Sequence, residues 1–141
     1  YDPVKNVIAN THSGWKGTVQ KISEKTVDKL MHDYNSNPKD LICCFGPCIH
    51  KCHFEVDKDV KEIFEKEFKY LNNDDIITKG KNEKYYIDTC LINKLLLEKK
   101  GVLEENIIDS GECTVCNSDT MYSYRKDKEK AGRNISIIYL K

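Results

Sequence analysis

The amino-acid sequence predicts one folded domain of the α/β or α+β class. Apolar residues recur at helical spacing in three segments, and short apolar runs of strand length lie between them. Gly, Pro, Asn and Asp punctuate the joints. No internal repeat or linker divides the 141 residues, a length that suffices for one domain with a real core.

The elements follow in order. The chain opens without Met on the turn-like DPVKN, followed at once by apolar VIA. Residues 7–10 are therefore expected to form a short buried strand whose hairpin partner lies upstream. From Thr18, the apolar residues Val19, Ile22, Val27, Leu30 and Met31 predict one helix that stops near Asn35, ahead of Pro38. LICCF at 41–45 reads as a strand ended by Gly46-Pro47. Val56, Val60, Ile63, Phe64 and Phe68 mark the inner face of a further helix, and residues 72–84 read as a hydrophilic surface loop. Tyr85, Tyr86 and Ile87 form a strand. Asp88 then caps a helix with Leu91, Ile92, Leu95 and Leu96 inward, closed by Gly101. Ile107-Ile108 and residues 135–140 are expected as the last strands, with a long polar stretch at 110–134 between them.

Composition narrows the function classes. Lys+Arg and Asp+Glu both number 23, so the basic excess of a nucleic-acid binder is missing. No apolar run reaches bilayer length and no signal peptide is visible, which points away from a membrane and toward the cytoplasm. Seven cysteines, an odd number, read as reduced thiols rather than a disulfide framework.

Three loops carry unusual chemistry. In THSGWKGT (11–18), a His at a strand end can point into a cleft, Gly14 and Gly17 permit close backbone approach, and Trp15 can stack on a flat ring. The plainer alternative is a packed Trp beside an incidental His. In GPCIHKCHFEV (46–56), Cys48, His50, Cys52 and His53 crowd together, and Cys113-x-x-Cys116 offers a second pair of zinc-type ligands. The C-x3-C spacing of Cys48 and Cys52 argues against a shared site, so Cys48, Cys52, Cys113 and Cys116 are expected to stay apart. Cys43 and Cys44 read as small buried hydrophobes. In SYRKDKEKAGR (123–133), Arg125, Lys126 and Arg133 could grip a phosphate, or form a solvated loop balanced by Asp127 and Glu129.

In order, these segments resemble the laccase-domain family, whose members are also called multicopper polyphenol oxidoreductases or purine nucleoside phosphorylases. The family's AHAGWRGT is similar to THSGWKGT, with Lys16 for Arg, and its GPxIGxxxFEV to GPCIHKCHFEV, with His50 for Gly. Its Y-x-x-D-L, G-V and E-N-I signals resemble YYIDTCLINKLLLEKKGVLEENI. Its CT…FFSYRRD…GR resembles CTVCNSDTMYSYRKDKEKAGR, with Met121 and Lys126 as departures. The resemblance covers residues 1–141.

The resemblance implies a layered α+β sandwich of mixed sheet with flanking helices, of which 1–141 would be the C-terminal portion, incomplete at the N-terminus. The family's metal site combines a His from a VHG-like motif, a Cys from an ADC-like motif and the His of AHAGW. Only the last has a counterpart here, His12. The implied activity is zinc-dependent phosphorolysis of adenosine, inosine, guanosine and methylthioadenosine, with adenosine deamination. Purine nucleoside and phosphate are the implied partners, and a homodimer is a candidate assembly. Trp15 and Gly14 would bind substrate, while Arg125, Lys126 and Arg133 would act on the phosphate. Two alternatives stand beside this reading: a copper-dependent polyphenol oxidase, and a non-catalytic zinc module built on Cys48, Cys52, Cys113 and Cys116.

Overall fold

The structure, a computed structural model, describes residues 1–71 and 74–141 and has mixed α+β architecture. Asp2 and Val7 close a small turn by paired backbone hydrogen bonds. Residues 8–10 continue without regular structure, which corrects the strand expected at 7–10. No described strand lies beside them to complete a ladder.

The single helix expected from Thr18 is two helices, α1 (Trp15–Val19) and α2 (Ile22–Tyr34). The break falls at Lys21, whose φ of +56° is left-handed. Thr18, the one buried residue of α1, is held in a polar network, whereas α2 buries Val27 and Leu30. The two helices thus serve different neighbours, and the left-handed joint lets each face its own. Met31, expected inward, is 38% exposed. A left-handed Asn35 terminates α2, its N–H bonded to the carbonyl of Leu30.

β1 (Cys43–Phe45) pairs in parallel with β5 (Ile107–Asp109), in the register Cys43 to Ile107. A second sheet has the order β2 (Glu55–Val56), β4 (Tyr85–Ile87), β3 (Ile77–Lys79), antiparallel throughout. β3 corrects the surface loop expected at 72–84. Ile76 is buried and Ile77 pairs with Ile87, so two apolar residues amid charges suffice for an edge strand. Asn72 and Asn73 lie outside the described residues.

Helix α3 (Lys58–Phe68) follows β2 and buries Phe64 and Phe68. Val56 belongs to the strand, and Ile63 is exposed on the outer face. Helix α4 (Thr89–Lys99) begins where Asp88 accepts the backbone N–H of Leu91 at 2.8 Å, as a capping carboxylate should. Its most buried residues are Ile92, Asn93, Leu96 and Leu97, while Leu91 and Leu95 pack partly buried at the flank. Gly101 ends the helix at φ +93°, where a side chain would be strained.

Two apolar clusters flank α4. One joins Phe54, Val56, Phe64, Phe68, Ile87, Ile92 and Leu96, with Trp15 packed against it. The other joins Val27, Leu30, Leu41, Leu97 and Val102 beneath β1 and β5. Residues 135–140 form no strand, which corrects another expectation. Ile135, Ile137 and Tyr139 are largely exposed, and the carbonyl of Ser136 is reached by the Asn10 side chain at 2.9 Å rather than by a ladder. Among the described residues no helix is long and apolar enough to cross a membrane.

Candidate functional site

The THSGWKGT loop leads directly into α1. His12 is exposed, and among the described residues no hydrogen bond engages its ring. The ring lies over Gly14: a Cβ added there would sit 3.1 Å from His12 Nε2. Gly14 therefore leaves room for the imidazole, and a β-carbon at this position would crowd the nitrogen that could ligate a metal. Trp15 does not stand open as a stacking platform. It is half-buried, with its ring 6.4 Å from that of Phe64.

Beneath the loop lies a polar network that sequence inspection did not find. The Ser13 hydroxyl donates to Asn93 Oδ1 at 3.1 Å. Asn93 Nδ2 donates to Thr18 Oγ1 at 3.1 Å and to the Thr89 carbonyl at 2.7 Å. Asn93 and Thr18 are buried, so these bonds replace water and tie the His12 loop to α4. The available signal was an Asn at a core-facing position of the helix sequence TCLINKLLL.

The cysteines assemble in a way that corrects the expected separation. A turn closes when His53 and Phe54 donate their N–H groups to the His50 carbonyl, at 3.0 and 2.9 Å. The 112–114 segment runs alongside: Cys48 N–H bonds the Glu112 carbonyl and Thr114 N–H the Cys48 carbonyl, forming a parallel bridge between Cys48 and Cys113. A further turn, from Asn117 N–H to the Cys113 carbonyl at 2.9 Å, carries Cys116 round to the same place. Three of the four thiols expected to stay apart thus converge with His53: one ligand atom each from Cys52, His53, Cys113 and Cys116 lies within 4.8 Å of the others. Cys48 falls instead into a second group with His50 and Cys90. Cys44 is exposed rather than buried, while Cys43 is half-buried.

Electrostatics distinguish the thiols. Burial pushes Cys113 up, but backbone N–H groups of His50, Cys116 and Val115 and the Cys52 thiol hold it down at about 6. Burial and the neighbouring thiols of Cys113 and Cys116 push Cys52 up to about 12. In the second group Cys48 and Cys90 are 3.2 Å apart. The bond from Cys90 lowers Cys48, and the same contact, with burial, raises Cys90. His50 Nε2 is buried, lacks a hydrogen-bond partner and lies 3.9 Å from Asp109 Oδ1.

Of the three expected phosphate cations, Arg125 is the most constrained. Its Nη1 donates to the carbonyls of His53 and Glu55, at 3.2 and 2.8 Å, and its guanidinium lies 5.8 Å from the Phe54 ring centroid. Lys126 is bonded to the Ser118 hydroxyl, and Arg133 Nη1 to the nearby carbonyls of Ala131 and Gly132. All three are exposed. Their contacts place Arg125 against the 53–55 segment and leave Lys126 and Arg133 within their own loop.

The family model described as multi-copper polyphenol oxidoreductase laccase matches residues 1–141. This chain belongs to that family. Among its relatives in the laccase family, the chain is 33% identical over 141 residues to a protein of Bacillus subtilis named purine nucleoside phosphorylase YlmD, covering 100% of this chain and 50% of that protein. It is 30% identical to a protein of an unknown prokaryotic organism named adenosine deaminase RL5, covering 99% of this chain and 53% of the relative. The crystal structure of the hypothetical protein YfiH of Bacillus licheniformis superposes with a TM-score of 0.80 at 30% identity, over 92% of this chain and 48% of that one. The chain thus spans about half the length of the laccase-family relatives it matches. Names within the family point to enzymes of purine nucleosides, and the chain carries Cys/His clusters that could hold a metal ion.

Proposed function

We propose that this chain is the C-terminal portion of a cytoplasmic, metal-dependent purine nucleoside phosphorylase that also deaminates adenosine. The observation that carries the reading is the whole-chain similarity, at 33% identity, to a protein named purine nucleoside phosphorylase. It is supported by His12, an exposed imidazole with no competing hydrogen bond among the described residues, seated over the glycine that makes room for it.

His12 fits the role of one metal ligand, and it is in neither Cys/His group found among the described residues. The reading therefore assigns the remaining ligands to the part of the longer relatives that this chain does not span. Zinc, when bound, would supply an acidified water for deamination at neutral pH. This chain's own contribution is positional. Asn93, Ser13 and Thr18 hold the loop on which His12 is mounted, and the reading assigns Gly14, beside the His12 ring, and the half-buried Trp15 to the bound purine nucleoside. For phosphorolysis the cations offered are Arg125, Lys126 and Arg133. Among the described residues only Nη1 of Arg125 is engaged in hydrogen bonds, which leaves Nε and Nη2 to offer to phosphate oxygens.

The test uses a protein extended to the length of the relatives. Phosphate-dependent release of hypoxanthine from inosine, and conversion of adenosine to inosine, are both expected to require zinc and to be abolished by His12→Ala. Residues 1–141 alone are expected to be inactive, because one imidazole cannot retain a catalytic metal. Robust turnover by 1–141 that His12→Ala abolishes would overturn the division of ligands. The family description favours a second reading, copper-dependent phenol oxidation. Oxygen uptake with a phenol, absent with zinc and present with copper, would support it over the first.

A further inference from the structure

We infer that Cys52, His53, Cys113 and Cys116 bind a single zinc ion as a closed structural site that clamps the 110–133 segment onto the 50–56 segment. The site is separate from His12 and does not depend on the reading given above.

The argument begins with ligand geometry. Tetrahedral zinc has bonds of about 2.3 Å to sulfur and about 2.0–2.1 Å to imidazole nitrogen, which sets edges of about 3.8 Å between sulfurs and about 3.6 Å between sulfur and nitrogen. Here Cys52 Sγ to Cys116 Sγ is 3.8 Å, while His53 Nδ1 lies 3.5 Å from Cys116 Sγ, 3.7 Å from Cys113 Sγ and 3.2 Å from Cys52 Sγ. The two remaining edges are within 4.8 Å. Four donors already stand near the corners of a zinc tetrahedron.

The donor chemistry points the same way. Three thiolates and one imidazole make a closed set with no position for water, which is the structural rather than the catalytic pattern. Cys113-x-x-Cys116 has the spacing of a zinc turn. Backbone bonds hold the two cysteines in place: Cys48 N–H to the Glu112 carbonyl, Thr114 N–H to the Cys48 carbonyl and Asn117 N–H to the Cys113 carbonyl fix the chain that carries Cys113 and Cys116. The other thiol group, Cys48, His50 and Cys90, offers three such ligands among the described residues, one short of a closed tetrahedron.

The placement gives the ion a task. Between residues 110 and 134 the chain has only a four-residue helix, α5 (Tyr124–Asp127), and one short 3-10 turn. Its hydrogen-bonded ties to the 48–56 segment among the described residues include the Cys48–Cys113 bridge and the Arg125 contacts. A metal bound to two residues on each side would fasten a segment that has little regular structure of its own.

The test is metal analysis of the purified, reduced chain. About one zinc per chain is expected after dialysis, retained in His12→Ala and in Cys48→Ser but lost in Cys52→Ser and in Cys116→Ser. Cys52 and Cys116 are exposed, so serine there should leave the core intact, and far-ultraviolet circular dichroism checks this. A measurement without mutation protects against misfolded variants. Cobalt(II) added to the chelator-stripped chain should give the intense ligand-field bands of a tetrahedral site together with sulfur-to-metal charge transfer. Stripping should also expose the 110–133 segment to limited proteolysis, and added zinc should restore protection. The proposal is overturned if zinc follows His12 or Cys48 instead, if cobalt gives weak octahedral bands, or if the reduced chain binds no metal and Cys52 and Cys116 oxidise to a disulfide.

Discussion

The hydroxyl of Ser13 donates to Oδ1 of Asn93 at 3.1 Å, across 80 positions of sequence. This bond and the one from Asn93 Nδ2 to Thr18 hold the residue next to His12 and the start of α1 onto α4, while the bond from Nδ2 to the Thr89 carbonyl, within α4, orients the Asn93 amide. Replacing Asn93 by Ala would leave the buried Thr18 hydroxyl and the Ser13 hydroxyl short of a partner. A loss of about 1–3 kcal/mol is expected in chemical denaturation. If the proposed function holds, Asn93→Ala in a protein extended to the length of the relatives should also reduce nucleoside turnover while His12 remains present. Asn93→Asp, which keeps the acceptor and removes the donor, should recover only part of either loss.

Arg125 should behave as a staple whatever its role toward phosphate. Its two backbone acceptors, His53 and Glu55, lie on the segment that follows β1. Because the guanidinium is exposed, Arg125→Ala should cost only about 1 kcal/mol. The sharper readout is proteolysis within 122–133, which should accelerate. Arg125→Lys keeps the charge but not the planar fork, and should resemble Ala in proteolysis. If Lys restores full protection, charge alone holds the segment.

Helices α3 and α4 and strand β4 were legible in the sequence because each has a clear period and a local signal at its boundary, such as the Asp88 cap or Gly101. β3 was not, because an edge strand of three residues amid Lys and Asp has too little pattern of its own. Its identity comes from pairing with β4. Residues 135–140 alternate like a strand but pair with no strand among the described residues. At the site, the motifs offered His12 and Arg125 as candidates, and both roles remain proposals. The thiol convergence was hidden, because C-x3-C spacing says nothing about the parallel bridge that brings Cys113 and Cys116 to Cys52 and His53.

Acid should weaken the N-terminal turn through Asp2. The residue is fully buried, and its Oδ1 accepts the N–H groups of Val4 and Lys5, both at 2.9 Å. Burial pushes its pKa up. It is outweighed by the Ser36 hydroxyl, close by though outside strict hydrogen-bond geometry, and by the two backbone bonds, which together hold the carboxyl below its usual range. A depressed folded-state pKa contributes stability that is present above the unfolded value of about 3.9 and lost as pH falls through the folded one. Denaturation midpoints measured from pH 6 downward should therefore fall more steeply below pH 4 for the unmodified chain than for Asp2→Asn. Parallel curves would show that Asp2 ionisation does not support the turn.

The turn joining β3 to β4 should resist any side chain at Gly80. A Cβ there would meet the Tyr86 ring at 2.8 Å and the Lys84 carbonyl oxygen at 3.1 Å. The ring is not free to swing aside, because the Tyr86 hydroxyl donates to Glu55 Oε2 at 2.9 Å across the sheet. The backbone oxygen is fixed as well, since Gly80 N–H bonds that same Lys84 carbonyl at 2.8 Å. Gly80→Ala should therefore strain the hairpin and destabilise the chain by about 1–3 kcal/mol. The double variant Gly80→Ala/Tyr86→Ala separates the two obstacles. If the ring is the main one, the double variant should lose less than the two single losses added together, giving a measurable coupling in a double-mutant cycle. Strict additivity would mean that the backbone at Lys84, not the Tyr86 ring, excludes the extra carbon.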